Sequence, residues 1–302
     1  MTERWIRKHT SPLDGTLVAV TGTTGGLGRE LCGRLAALGA SLLLLDRNSE
    51  RSAAFRQELL SNFPTANVRC IRLDLEDSAS VFSAAEILEK EPIDVFVHNA
   101  GAYSIPRNIT DAGYDNVFQI NYVSPYYLIR RLLPRLRARN GRVIVVGSIA
   151  HRYSRTDPAD LDFSKRKRAS LVYGNAKRHL MFSMYELFAR EGTVHLAVTH
   201  PGICFTNITA HYPKVVFALI KHPMKLLFMK PKKAALSILA GAFDSCRRDE
   251  WIGPSCLDIW GLPKKKALPP LSEEERREIA AAAEAVYERM ECLHHGERLP
   301  NR

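Results

Sequence analysis

Residues 21–28, Thr-Gly-Thr-Thr-Gly-Gly-Leu-Gly, stand between a β-rich apolar run and an amphipathic run, and this placement constrains the chain more than any other feature. Residues 16–21 (TLVAVT) read as a buried strand, and residues 26–38 as a helix with Leu27, Leu31, Leu35 and Leu38 on one face. Gly39 is suited to end that helix. A strand that turns through glycines directly into a helix presents unpaired N–H groups and the positive end of the helix dipole at one point. Glycines are wanted in such a turn because a side chain at the point of contact would keep the backbone from a phosphate. A glycine-rich stretch alone says little. Between a strand and a helix, in a chain that keeps alternating, it reads as a cradle for a dinucleotide pyrophosphate.

The alternation continues. Strands are expected at 42–45, 68–73, 93–98, 142–147 and 194–199, with a last strand at 256–260. Helices are expected at 50–62, 78–89, 170–190 and 232–243, and a long one within 114–139 interrupted by Pro125 and Pro134. Ser272 and Glu275 form a capping-box pair that opens a final helix. Strand runs this apolar belong to a parallel sheet covered on both faces. The expected fold is α/β, a doubly wound parallel sheet of the Rossmann type in a single domain, with a C-terminal helical appendage. The expected boundaries are a basic segment at 1–13, a nucleotide-binding domain at 14–262 with a substrate lid at about 203–233, and a C-terminal linker and helix at 263–302.

With 302 residues, 46% hydrophobic and 25% charged, the composition is that of a globular chain and excludes a disordered or collagen-like one. The formal charge of +11 favours anionic partners without choosing among them. No nucleic-acid motif and no aromatic-interleaved basic stripe accompanies it, so nucleic acid is not an expected partner. The six cysteines are scattered without a C-x-x-C pair, which reads as free thiols in a reducing compartment and no metal site. No apolar run approaches the length of a membrane span, and the charged N-terminus has no apolar core, so a soluble cytoplasmic protein is expected.

Tyr173 and Lys177 are four residues apart on an expected helix and therefore share a face. A tyrosine hydroxyl is a weak acid, and a neighbouring ammonium favours the phenolate. Tyr173 could then take a proton from an alcohol or give one to a carbonyl. Ser148, at the C-terminal end of a strand, could hydrogen-bond the substrate oxygen. Out of context the pair could equally be surface neighbours, and Ser148 an ordinary strand-end residue.

The spacing Gly22-x-x-x-Gly26-x-Gly28 resembles the short-chain dehydrogenase/reductase family, and further motifs of that family follow in order. They are Asp74-Leu75, His98-Asn99-Ala100-Gly101, Asn121, Ser148, Tyr173-x-x-x-Lys177 and Pro201-Gly202-x-x-x-Thr206. His98 stands where the family commonly has Asn. The resemblance covers roughly residues 14–260 and implies a catalytic set of Asn121, Ser148, Tyr173 and Lys177. It also implies that Lys177 contacts the nicotinamide ribose and that Asn121 holds a water relaying protons to Lys177. Asp74 would reach the adenine, Asn99, Ala100 and Gly101 would line the dinucleotide through their backbone, and Thr206 would bond the carboxamide. Gly22, Thr24, Gly26, Leu27, Gly28, Leu75, Pro201 and Gly202 complete the expected cofactor contacts, and no metal is expected.

Two neighbours give opposite signals on the cofactor. Asp46, ending the second strand, can accept hydrogen bonds from ribose hydroxyls, which favours NAD. Arg47 suits the 2′-phosphate of NADP. The sequence is read as NAD first, with NADP kept open by Arg47.

The separation of 25 positions from Ser148 to Tyr173, with Ser148-Ile149-Ala150-His151 and Asp160-Leu161-Asp162-Phe163 in that stretch, resembles the retinol-dehydrogenase-like branch of the family. That branch implies a lipophilic alcohol or carbonyl as substrate. Residues 193–243 hold six lysines and no Asp or Glu among bulky apolar residues, so this lid could wall a lipophilic pocket, touch an anionic membrane surface or simply cover the core. The family often forms dimers or tetramers through the helices around Asn121 and Tyr173, which leaves a homodimer or homotetramer open. The expected function is hydride transfer between a nicotinamide and an alcohol or carbonyl. The rival is a catalytically silent cofactor sensor or scaffold, which would need no Tyr–Lys pair.

Overall fold

The strand residues alternate strictly between two cores, and this alternation fixes the architecture. In the computed structural model, which describes residues 2–203 and 229–298, β1 (Leu17–Thr21) sends Leu17 and Ala19 to one face and Val18 and Val20 to the other. β2 (Ser41–Asp46) sends Leu43 and Leu45 one way and Leu42 and Leu44 the other. Strands with apolar residues on both faces must be sandwiched between helices. β3 (Val68–Arg72), β4 (Val95–His98), β5 (Arg142–Val146) and β6 (His195–Thr199) continue the parallel sheet. With β7 (Glu250–Cys256) and β8 (Trp260–Ala267), the order is β3-β2-β1-β4-β5-β6-β7-β8. The order reverses between β1 and β4, and ligands bind doubly wound sheets above that crevice.

One face is covered by α1 (Thr2–His9), α2 (Gly26–Ala37), α3 (Ser49–Asn62) and α8 (Pro231–Gly241), which bury among others Trp5, Leu31, Phe55 and Leu236. The other is covered by α4 (Ser78–Leu88), the helix over 116–137, α7 (Ala169–Phe188) and α9 (Glu273–His294). The second of these consists of an α turn α5 (Asn116–Phe118), a π-helical stretch (Gln119–Val123) and α6 (Ser124–Arg137). The fold is thus the expected doubly wound α/β domain.

Two local expectations are corrected, and two segments gain detail. Residues 256–260 are mostly a turn, with Leu257 and Asp258 at φ 50° and 58°, joining β7 (Glu250–Cys256) to the antiparallel β8 (Trp260–Ala267). Pro254, Pro263 and Lys264 to Lys266 hide these strands from a propensity reading: Pro254 falls at a register shift in β7, and β8 is the sheet edge, which tolerates prolines and lysines. Pro125 and Pro134 do not break their helix, since Pro125 sits in the first turn of α6 just after the π-helical stretch, and Pro134 lies inside α6. The basic N-terminal segment is a helix that buries Trp5 against the sheet. The sheet also runs through position 262, where the sequence reading ended the domain, and α9 places Ile279, Ala283, Val286 and Met290 in the main core. No helix among the described residues is long and apolar enough to cross a membrane.

Candidate active site

The cleft lies above the sheet where β1 and β4 diverge and encloses about 650 Å³. Its floor is the glycine turn. Gly22 has φ +70°, and a Cβ there would meet the Ala100 Cα at 2.9 Å. A Cβ on Gly28 would meet the Gly22 carbonyl oxygen at 2.2 Å and the Thr23 Cα at 2.8 Å. Side chains at either position are therefore excluded by backbone, not by movable groups. Gly25 caps α2 without a side-chain hydrogen bond and no acidic residue occupies its first turn, so the first N–H groups and the positive end of the dipole are suited to an anion.

Thr21 braces this floor. Its hydroxyl accepts the N–H groups of Asn99 (3.1 Å) and Ala100 (3.0 Å), so its hydrogen is left for Nδ1 of His98 at 3.2 Å. His98 is therefore a neutral ring with its proton on Nε2, and burial together with the Lys177 charge holds its pKa well below the usual value. The Asn99 side-chain amide donates to the carbonyls of Thr21 (3.1 Å) and Gly22 (3.0 Å), fastening β4 to the turn. The sequence reading missed Thr21, whose role depends on partners that the fold brings from another strand.

Asp46 is buried, and its carboxylate is already engaged. One oxygen accepts the hydroxyls of Thr23 and, at 2.9 Å, Ser52; the other accepts the Thr24 N–H at 3.2 Å. Arg47 and Arg51 are exposed and line the same end of the cleft. Asp74 accepts the Glu76 N–H at 3.1 Å, and the Leu75 carbonyl accepts the Ser124 hydroxyl at 2.6 Å. The remaining expected cofactor contacts line this cleft too, from Thr24, Gly26 and Leu27 through Ala100 and Gly101 to Pro201 and Gly202. Thr206 and most of the expected lid fall outside the described residues. Ile203 lines the cleft, and its carbonyl accepts the Met229 N–H at 2.9 Å.

The reacting groups gather at the other end. Lys177 is buried, donates to the Val146 carbonyl at 3.0 Å, and places its Nζ 5.7 Å from the centre of the Tyr173 ring. Burial lowers its pKa to about 7. Ser148 Oγ accepts the Ala150 N–H at 3.2 Å as the cap of a short 3₁₀ turn, which leaves its hydroxyl hydrogen for donation. The Ser148 carbonyl is held by Nδ1 of His151 at 2.7 Å; a carbonyl only accepts, so that nitrogen carries the proton. Asn121 is fully buried behind Gly101, where a Cβ would meet its Oδ1 at 2.8 Å and Lys177 Nζ at 3.5 Å. Its amide nitrogen donates to the carbonyls of Ala102 and Val117, both at 2.8 Å, and its Oδ1 finds no partner among the described residues. Tyr103, which the sequence reading also missed, lies edge-on to Tyr173 with ring centres 5.3 Å apart.

A glycine cradle that any Cβ would fill, N–H groups at a helix start and an orphaned buried amide oxygen beside a lysine fit a bound nicotinamide dinucleotide. The profile of the short chain dehydrogenase family matches residues 16–214. An uncharacterized oxidoreductase of Schizosaccharomyces pombe is 30% identical over 257 residues, covering 80% of this chain and 76% of that protein. Mouse retinol dehydrogenase 12 is 29% identical, covering 65% of this chain and 64% of that one. Bovine dehydrogenase/reductase SDR family member 13 is 30% identical over 87% of this chain and 70% of its own length. Among solved structures, an uncharacterized protein from Mycobacterium paratuberculosis superposes with a TM-score of 0.69 at 23% identity, over 96% of this chain and 97% of that one. The Pseudomonas aeruginosa RhlG/NADP complex superposes with a TM-score of 0.57 at 25% identity, over 78% of this chain and 93% of that one. The chain belongs to the short-chain dehydrogenase/reductase family, with retinol-dehydrogenase-like relatives, and is an NAD(P)-binding oxidoreductase acting on a small molecule.

Proposed function

We propose that this chain interconverts an alcohol and a carbonyl on a lipophilic small molecule, with NADP(H) as cofactor and Tyr173 as the group that gives and takes the proton. The observation that carries the reading is the buried Lys177 Nζ beside the Tyr173 ring, in the cleft that also holds the glycine cradle. Bound there, the nicotinamide supplies or accepts the hydride. The charge on Lys177 favours the phenolate of Tyr173, which eases proton transfer at its hydroxyl. Ser148 donates its hydroxyl hydrogen to the substrate oxygen where negative charge develops. Asn121 Oδ1 is placed to hold a water beside Lys177 through which the proton can be replaced. Ile105, Ile149, Tyr153 and Ile203 give the substrate end an apolar lining, which supports a lipophilic substrate.

With decanal and NADPH, Tyr173→Phe should lower turnover by roughly 10²–10⁴ while NADPH still binds, as read by cofactor fluorescence. Undiminished turnover in that variant would remove the proton-transfer role.

The cofactor reading departs from the NAD preference that Asp46 suggested. Its carboxylate already accepts from Thr23, Thr24 and Ser52, which leaves it little acceptor capacity for ribose hydroxyls, and Arg47 and Arg51 line the same end of the cleft, where they suit a 2′-phosphate. Arg47→Ala should raise KM for NADPH about tenfold and leave KM for NADH nearly unchanged, given the strength of a charge-assisted contact. Equal changes for the two cofactors would return the assignment to NAD.

A further inference from the structure

The stretch between Ser148 and Tyr173 is held in place by an arginine outside it. Arg107 lies in the loop after β4, and its Nε donates to Asp115 at 2.7 Å. Nη2 donates to the carbonyls of Phe163 (3.0 Å) and Ser164 (3.3 Å), and Nη1 to that of Arg166. Asp115 joins two further pieces. Its second oxygen caps the helix that leads to Asn121 by accepting the Val117 N–H at 3.0 Å, and its own N–H donates to Asp162 at 2.8 Å. A planar guanidinium with five donors in a fixed fork can gather three carbonyls and a carboxylate in this way, and an ammonium cannot.

At the centre of the grip is Phe163. It is buried, with φ +54°, and its carbonyl is bound by both Arg107 and the Arg166 N–H at 3.0 Å. Its side chain forms a small apolar cluster with Val117 and Val172, against which Ile105 and Tyr173 pack. Arg107, Asp115 and residues 162–166 do not line the cleft themselves.

We infer that the Arg107–Asp115 clasp is a positioning device: it holds Phe163 behind Tyr173 and so sets the tyrosine before substrate arrives. Arg107 is then a positioning residue, acting on the reaction only through the packing of Tyr173. This rests on the reading of Tyr173 as the proton-transferring group.

The test compares wild-type protein with Arg107→Leu and Arg107→Lys by amide hydrogen exchange over residues 160–176, NADPH binding by fluorescence, and kcat with decanal. Arg107→Lys keeps a charge for Asp115 but loses the fork, so it also serves if the leucine variant fails to fold. Both variants should exchange faster over 160–176 and lose about tenfold or more in kcat, as expected for a misplaced reacting group. The dissociation constant for NADPH should stay within about twofold, because the cradle lies at the other end of the cleft. A lysine variant with wild-type exchange and kcat would overturn the inference. So would faster exchange with unchanged kcat, or loss of NADPH binding together with kcat. If the wild-type protein turns over no aldehyde, the reading of Tyr173 fails by itself, and the exchange rates still decide whether Arg107 orders these residues.

Discussion

Burial of Lys177 works against the fold at neutral pH. Its pKa is lowered from 10.5 to about 7 by desolvation, so the unfolded chain binds more protons than the folded one between those values. The associated stability is fully present above the unfolded value and is lost as pH falls through about 7. Near neutral pH the residue therefore costs the cofactor-free protein an amount on the order of several kcal/mol. Lys177→Met should remove the charge, keep most of the packing, and raise the melting temperature of the cofactor-free protein at pH 7 by about 3–8 °C while abolishing turnover. The gain should shrink as the pH is raised toward 10. Differential scanning fluorimetry with a pH series reads both, and an unchanged or lower melting temperature at pH 7 would show that the lysine is not held against its charge. Tyr173 and Lys177 were legible in the sequence because their relation is helical and local. The occupation of Asp46 was not, because Thr23 and Ser52 come to it from the glycine turn and α3, and nothing in the spacing announces that convergence.

At the scale of elements, legibility follows burial. β1, β2, β5 and β6 were readable because both of their faces are apolar, and they carry Thr21, Asp46, Ser148 and Pro201 at or just beyond their C-terminal ends. β3 is an edge strand with Arg69 and Cys70 exposed, and its expected range still held because Val68 anchors it. β7 and β8 were hidden because their residues answer to an edge and a hairpin turn, not to a periodic core. The helix over 116–137 shows the opposite failure. Its prolines suggested interruptions, yet Pro125 falls just after the π-helical stretch that contains Asn121, and a proline has no N–H to return to the preceding turn. The widened turn keeps Asn121 buried with its Oδ1 on the Lys177 side. The capping box at Ser272 was half right in its chemistry. Ser272 Oγ does accept the Glu275 N–H at 3.1 Å, but the Glu275 carboxylate reaches Arg178 at 2.5 Å instead of its own helix start. Tertiary contact thus overrode a local rule, and it did so to join the last helix to the one that carries Tyr173.

That junction sets the expectation for the whole molecule. Dimers and tetramers of this family were expected to form through the helices around Asn121 and Tyr173, which are α6 with its preceding turns and α7. In this chain α9 lies across both. Glu284 meets Arg130 at 2.7 Å, Glu291 meets Arg131 at 3.3 Å, and Arg276 joins Glu186 at 3.0 Å and Asp249 at 2.5 Å. Tyr287 stacks on Tyr127 with ring centres 5.7 Å apart, and the Tyr127 hydroxyl meets Nδ1 of His294 at 2.9 Å. The Arg130–Glu284 pair, with its glutamate exposed, contributes at most about 1 kcal/mol; Arg276 is buried between Glu186 and Asp249, where the cost of desolvation offsets much of the pairing; each of the buried Ile279, Val286 and Met290 side chains contributes about 1.5–3 kcal/mol. Apolar packing therefore dominates this junction, and a second copy docking on the faces of α6 and α7 that α9 covers would have to displace it. The expected state in solution is a monomer of 33.9 kDa, measured by sedimentation equilibrium. A chain ended before Ser272 would uncover the apolar faces of both helices and should self-associate or lose several kcal/mol of stability. A wild-type dimer, or a truncated chain that stays monomeric with an unchanged melting temperature, would mean that α9 does not close this face.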